Sequence, residues 1–319
     1  MVKLGLIGAG YLGKIHLGLL AKMEGVDFIG FFDSDKKNSE ELNIQYSTSN
    51  FHSANELIEK CDALVIATPT TTHFEYAKTC IELNKHVFVE KPVTADTTEA
   101  ASLMPLFHSH SVCFQVGMVE RFNPAFIAIE PKLNGIQKIF CNRLAPFTPR
   151  GADVSVVFDV MIHDIDIVLS IAKSPVKQIR SFGQKLISET FDLATATVEF
   201  DNGMVANFTA SRMAERKYRL TEFINGGTIY KVDFLNKTAE CYNLGDHAKQ
   251  GLEEAYLSGK KGVMEQKSIH VIEANAIGNE LKSFVDSIVN NKKVVVSLED
   301  GMRAMQLAKE IEDQMNHQN

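Results

Sequence analysis

The sequence predicts an α/β fold in two parts: a doubly wound parallel sheet at the N-terminus, then an α+β domain on a large, mostly antiparallel sheet. Three observations lead there. Over the first part of the chain, short apolar runs alternate with amphipathic stretches. Beyond about Gly135 the runs come instead at hairpin spacing. The length, 319 residues, exceeds that of one ordinary domain.

Taken in order, "VKLGLIG" reads as a strand and "YLGKIHLGLLAKM" as a helix with Leu12, Ile15, Leu19, Leu20 and Met23 on one face. "DFIGFFDSD" returns to strand, "DALVIATP" is the next, and a helix runs from about Thr72 to Asn84. "KHVFVEK", a helix over "TTEAASLMPLFHSH", and "SVCFQVGM" complete the pattern. Strands apolar on both faces and separated by helices imply a parallel sheet covered on both sides. After "ERFNP" the grammar changes. "VEFDNGMVANFTASR" carries Asn202-Gly203 between two apolar runs, and "TEFINGGTIYKVDF" carries Asn225-Gly226-Gly227, both hairpin signals. One helix, "VVFDVMIHDIDIVLSIA", interrupts these strands, and two more, "ANAIGNELKSFVDSIVNN" and "EDGMRAMQLAKEIEDQM", follow them. The boundary is placed where the sheet type switches, giving domains 1–120 and 121–319.

Net charge is −7 with no long basic run, which argues against a nucleic-acid or anionic-membrane partner. The N-terminus lacks signal-peptide features and no stretch reaches the ~18 apolar residues of a membrane span, so a cytoplasmic protein is expected. Five scattered cysteines without a CxxC pair read as buried reduced thiols, and no metal site is expected.

"GLIGAGYLGKIH" contains Gly8-x-Gly10-x-x-Gly13 between a strand and a helix, and Asp33 ends the following strand. This is the setting of a dinucleotide-binding, Rossmann-type turn. The first glycine allows the tight turn, the second lets the backbone approach a pyrophosphate at the helix N-terminus, and the third allows close helix–strand packing. Gly8, Gly10, Tyr11, Leu12 and Gly13 are thus expected at the cofactor, with Asp33 on the ribose hydroxyls. That carboxylate favours NAD by repelling a 2′-phosphate; Lys36 and Lys37 leave NADP open. A second sheet-end loop, "ATPTTTHFEYA", is expected to place Thr68 and Pro69 beside the cofactor, with Thr72-x-x-Glu75 as a capping box. His73 is either a packing residue at the helix start or a ligand.

Lys91 ends "KHVFVEK", and in an open parallel sheet ligands bind outside the carboxyl ends of the strands. Pro92 holds Lys91 extended, through a bond whose isomer the sequence leaves open. An amine desolvated there has a lowered pKa and exchanges a proton with a substrate hydroxyl near neutrality. The alternative is a lysine that caps the strand and pairs with Glu90. In "FDVMIHDIDIVL", Asp159 and His163 share a helical face at i, i+4, with Asp166 one turn further. A carboxylate-oriented imidazole beside a lysine makes a proton relay suited to hydride transfer from a secondary alcohol. Two alternatives stand: a wet helix side formed by Asp159, His163, Asp164 and Asp166, or a metal site, the latter disfavoured by the single histidine.

Together, Gly8-x-Gly10-x-x-Gly13-x-x-His16, "ATPTTTHFEYA", Glu90-Lys91-Pro92, Arg121-Phe122-x-Pro124 and Asp159-x-x-x-His163-x-x-Asp166 resemble the glucose–fructose oxidoreductase, inositol dehydrogenase and rhizopine-catabolism family, Gfo/Idh/MocA, over nearly the whole chain. The resemblance implies a Rossmann domain, a C-terminal domain whose sheet mediates homodimers or homotetramers, NAD(P), and sugar or cyclitol substrates. It assigns Lys91, Asp159 and His163 as the catalytic group and puts Glu90 and Lys91 at the cofactor. "ADVSVVFD" replaces the glycine-rich segment many members carry before the Asp-x-x-x-His motif, so the chain looks more like the nucleotide-sugar branch, the UDP-N-acetylglucosamine 3-dehydrogenases. Arg121, Arg143 and Arg150 then fit a diphosphate, with ordinary surface ion pairing as the alternative, and Asn123 fits a sugar or acetamido group. An aminotransferase that consumes the ketone is the expected functional partner. A free-sugar or inositol dehydrogenase, an NAD-binding sensor and an NAD-recycling glycosidase are the competing functions.

Overall fold

The computed structural model describes residues 1–149, 151–244 and 264–317. The chain forms two compact units, Met1–Val119 with Ala276–Gln306, and Glu120–Asn275 with Leu307–Asn319.

In the first unit, strands β1 (Val2–Ile7), β2 (Val26–Phe32), β3 (Ala63–Ile66), β4 (His86–Glu90) and β5 (Phe114–Gly117) make a parallel sheet in the order β2-β1-β3-β4-β5. β3 and β5 are buried at every position, as a sheet covered on both faces requires. Helices α1 (Tyr11–Leu20), α4 (His73–Glu82) and α5 (Thr97–His108) follow β1, β3 and β4. Two further helices, α2 (Lys36–Tyr46) and α3 (Ala54–Lys60), join β2 to β3. The buried side of α1 differs from the expected one: Gly13, His16, Leu17 and Leu20 face inward, while Ile15 is 38% exposed. A buried polar His16 conceals that face from a hydrophobicity pattern. Thr72 does not cap α4 with its side chain; its hydroxyl donates instead to the Pro69 carbonyl and shares a hydrogen bond with the Thr68 hydroxyl.

The expected 121–319 domain is corrected at its end. Helix α8 (Ala276–Val289) buries Leu281 and Phe284 in one core with Leu4, Leu6, Phe31 and Phe88 of the first unit. Its amphipathic pattern announced a helix but not which sheet it covers.

The second unit carries an eight-stranded sheet in the order β13-β12-β11-β10-β6-β9-β8-β7. Its strands are β6 (Lys138–Leu144), β7 (Val176–Gln184), β8 (Leu193–Phe200), β9 (Val205–Ser211), β10 (Tyr218–Asn225), β11 (Thr228–Asp233), β12 (Thr238–Leu244) and β13 (Met264–Ile269). Every neighbouring pair is antiparallel except β6 and β9. The Asn202-Gly203 turn joins β8 to β9 with Gly203 at φ +83°, and Gly226, at φ +56°, helps turn β10 into β11. A short helix α6 (Pro124–Ile129) packs on β11 and β12. The interrupting helix is a π-helical turn, Val157–Met161, running into α7 (Ile162–Ala172). The last helix, α9 (Leu298–Asn316), contains the division between the units. No helix among the described residues is long and apolar enough to cross a membrane, and no group of three or more His, Cys, Asp or Glu among them is placed to hold a metal. Cys61, Cys80 and Cys141 are buried thiols with pKa values pushed up by desolvation, while Cys113 and Cys241 are only partly buried.

Candidate active site

The carboxyl ends of β1, β3 and β4 carry the first group of expected residues. Gly8 sits at φ +91° with its N–H donating to Phe32 O at 2.8 Å, and a Cβ there would lie 2.7 Å from the Ala67 carbonyl oxygen. A Cβ on Gly13 would strike the Gly8 carbonyl, so the third glycine sets how closely α1 approaches the turn. Gly10 is exposed, and a Cβ added to it would meet nothing within 4 Å. It precedes a helix whose N-terminus has no side-chain cap. Open space before uncapped N–H groups fits a pyrophosphate. Tyr11 is exposed and Leu12 half-buried on the first turn of that helix. Asp33 accepts from the Ala9 and Asp35 N–H groups, which fixes its carboxylate at the end of β2 and leaves acceptor capacity on both oxygens for ribose hydroxyls. These residues fit NAD.

His73 is 1% exposed, with Nδ1 2.9 Å from Pro92 O and Nε2 3.0 Å from Thr68 O. Burial pushes its pKa below the ordinary histidine value, against the pull of the two carbonyls. The neutral ring donates its one N–H to one of these two carbonyls, which suits the packing alternative for His73. Thr68, half-buried, and Pro69, exposed, remain on the loop it holds.

β4 ends at Glu90, so Lys91 lies one residue beyond the strand, and the Lys91–Pro92 bond is cis. Glu90, expected at the cofactor, is buried, and its carboxylate receives His16 Nε2 at 2.6 Å through Oε1 and the Lys91 N–H at 3.3 Å through Oε2. Gly117, on the neighbouring β5, makes room for it, since a Cβ there would lie 2.8 Å from Glu90 Oε2. Lys91 itself is half-buried.

In the second unit, Asp159 lies in the π-helical turn and His163 in the first turn of α7, both half-buried. A π-turn winds more slowly than an α-helix and often marks a functional position. Gly151, at φ +79°, lies against Asp159: a Cβ on it would be 3.1 Å from Asp159 Oδ2. Arg212, unmarked in the sequence, holds this segment by donating to the Gly151 and Val154 carbonyls at 2.9 and 2.6 Å. The wet-side alternative for this helix fails at Asp164 and Asp166, both buried.

Arg143 and Asn123, both expected at the substrate, are buried and bonded within the second unit. Arg143 projects from the covered face of β6, where its guanidinium donates to Asp164 at 3.0 and 2.7 Å and to Glu120 at 2.7 Å. Asn123 caps α6 through Oδ1, and its Nδ2 donates to Glu120 Oε2 and the Phe234 carbonyl. Arg121 stands 3.7 Å from Asp166 Oδ1. Arg150 lies outside the described residues. Arg219, on β10 directly opposite Arg143, was missed; Glu120 Oε1 lies between the two like charges, 3.4 Å from Arg219 Nη1. Its side chain is 41% exposed, which makes it the arginine of this cluster that reaches solvent.

Comparison with known proteins adds the following. Residues 2–118 match the oxidoreductase family model with an NAD-binding Rossmann fold, GFO_IDH_MocA, and residues 143–229 match the GFO/IDH/MocA C-terminal domain. The chain is 29% identical over 311 residues to UDP-N-acetylglucosamine 3-dehydrogenase of Acidithiobacillus ferrooxidans, covering 97% of this chain and 96% of that one. It is 25% identical to myo-inositol 2-dehydrogenase of Thermotoga maritima, over 96% and 94% of the two chains. A solved structure of the Acidithiobacillus ferrooxidans enzyme superposes with a TM-score of 0.89 at 27% identity, covering 99% of this chain and 98% of that one. Scyllo-inositol dehydrogenase of Lactobacillus casei, solved with NAD(H) and scyllo-inositol, shares the fold with a TM-score of 0.79 at 18% identity, over 100% and 98% of the two chains.

Proposed function

Since the chain belongs to the Gfo/Idh/MocA oxidoreductase family and is an NAD(P)-dependent dehydrogenase that binds NAD, we propose that it oxidises the 3-hydroxyl of a UDP-amino sugar of the UDP-N-acetylglucosamine kind to a ketone. The observation that carries this substrate is the likeness to UDP-N-acetylglucosamine 3-dehydrogenase over 97% of the chain.

NAD, when bound, supplies the hydride acceptor. The protein's part is the proton. Lys91 Nζ takes the proton of the reacting hydroxyl as the C–H bond breaks; Asp159 and His163 complete the catalytic group that the family resemblance assigns. Asp33 and the Gly8–Gly13 turn hold the dinucleotide. With Arg143 committed to Asp164 and Glu120, the diphosphate falls to Arg121, Arg150 and the partly exposed Arg219.

We also propose a homodimer or homotetramer formed through the open face of the eight-stranded sheet. Phe182 on β7 is 50% exposed, and Leu193, Thr195 and Thr197 on β8 are half-buried between inward-facing Ala194, Ala196 and Val198. The ketone product suits consumption by a partner aminotransferase. A second reading, oxidation of a free inositol, draws on the 25% identity to myo-inositol 2-dehydrogenase.

The test is absorbance at the NADH band with NAD and, separately, UDP-N-acetylglucosamine, glucose and myo-inositol, with an aminotransferase and glutamate to draw off product. A rise with the UDP-sugar alone supports the first reading; a rise with myo-inositol alone replaces it with the second. Lys91→Met is expected to lower turnover at least ~100-fold, the lower end of what a general base contributes, while NAD affinity stays within about twofold. An unchanged rate removes Lys91 from the mechanism.

A further inference from the structure

Lys91 and Pro92 form a two-residue strap between the end of β4 and the buried Val93. The strap is tethered on both sides by buried histidines from other elements of the first unit. From α1, His16 is fully buried and binds Glu90 Oε1 at 2.6 Å, while Glu90 Oε2 accepts the Lys91 N–H. The His16 Nδ1 has no hydrogen-bond partner among the described residues, and its ring meets Phe88 edge-on at 5.7 Å. A polar ring placed in an apolar core for one hydrogen bond implies that the bond matters. From α4, His73 Nδ1 reaches the Pro92 carbonyl, and its other nitrogen faces the Thr68 carbonyl. Proline has no N–H, so this carbonyl is the only backbone polar group at that position.

Each histidine lies on a helix that opens at a cofactor loop: His16 six residues after Gly10, and His73 five residues after Thr68. Glu90 requires its tether most. A carboxylate this far from water is costly without a donor, and without His16 its described bonds reduce to one long contact with the Lys91 amide.

We propose that His16 and His73 are positioning residues for Lys91, fixing the strap to the two cofactor loops so that occupancy of those loops by NAD orders the lysine. This rests on the reading of Lys91 as the proton-exchanging group, but the tether itself is tested without it.

The experiment compares wild type with His16→Leu, His16→Gln, His73→Leu and His73→Asn. Gln at 16 and Asn at 73 keep an N–H donor near the required place; Leu keeps bulk alone. Backbone amide exchange of the 90–96 segment is followed with and without NAD, and kcat and the KM for NAD are measured on the substrate identified above. Each Leu variant is expected to exchange this segment roughly 10-fold faster than wild type, the scale of one lost hydrogen bond to a charged or buried group. Added NAD is expected to slow exchange there in wild type and much less in the Leu variants. A fall in kcat of about tenfold, with the KM for NAD within roughly threefold, is expected alongside. The Gln and Asn variants should recover most of both. Leu variants with wild-type exchange overturn the tether, as do donor-retaining variants no better than Leu, or losses confined to the KM for NAD. Faster exchange with unchanged kcat upholds the tether and removes Lys91 from the chemistry instead. Should Leu at 16 prevent folding, Glu90→Gln applies the same test: it keeps the shape of the side chain and loses its charge.

Discussion

The Arg143 guanidinium makes three hydrogen bonds to two carboxylates where water does not reach, and a ring of Phe234 lies 5.8 Å below it. Such a group is costly to disturb from one side. Arg143→Met removes the described counter-ion of the buried Asp164 and leaves Glu120 only the longer contact with Arg219, and a loss of about 3–5 kcal/mol in urea-unfolding stability is expected. A loss under ~1 kcal/mol would show that these carboxylates are hydrated or protonated in the native state. The same residue shows where sequence reading stops. "CNRLAPF" displays an arginine in a strand, and period two assigns it to one of two faces, but only the elements lying on the sheet decide which face is dry. The glycines of the dinucleotide turn were legible for the opposite reason. Gly8 and Gly13 are demanded by backbone closeness within a few residues, a local constraint that the sequence carries in full.

At the scale of elements, the π-helical turn bearing Asp159 is supported by the segments beside it. Asp192 is buried and collects the N–H groups of Leu186, Ile187 and Ser188 and the Ser188 hydroxyl, and it lies 3.7 Å from Arg212, which in turn holds Gly151 and Val154. Burial opposes ionisation of Asp192, but these donors outweigh it and hold its pKa well below the ordinary aspartate value. The native state therefore binds this proton more weakly than the unfolded chain does. Its contribution to stability is complete above the unfolded aspartate pKa of about 3.9 and disappears as pH falls towards the lower native value. Unfolding free energy measured from pH 6 downwards is expected to fall more steeply below about pH 4 in wild type than in Asp192→Ala, which starts lower. Parallel curves would rule the carboxylate out. Much of the strand and helix pattern was readable from hydrophobic period and turn residues, though α2 and α3 were not, whereas this support left no trace, because Asp192, Arg212 and Gly151 are far apart in sequence and none carries a motif. The Asp159-x-x-x-His163 motif was legible in the sequence, and the change to π-winding lay beyond what i, i+4 counting reveals.

For the whole molecule, the domain count was legible and the domain membership was not. Two sheet types announced two units, but α8 follows the second sheet in sequence while its Leu281 and Phe284 complete the core of the first. A fragment of residues 1–119 loses both side chains, each fully buried, at a cost of about 3–6 kcal/mol. That is a large share of the stability a domain usually has. The fragment is expected to show no cooperative thermal transition, and co-expression with residues 276–306 to restore one; a sharp melt of the fragment alone would show α8 to be dispensable.

The sharing of a core between the first and last parts of the chain also bears on how the protein is made. On a ribosome adding roughly 5–20 residues per second, Phe88 emerges on the order of ten seconds or more before the Phe284 ring that packs 5.9 Å from it. During that interval the nascent first unit presents an open apolar seam beside β4, the strand that leads to Lys91. The protein thus has a period of vulnerability during synthesis that refolding of the complete chain never reproduces, and ribosome-bound chains halted before residue 276 are where a chaperone would find it.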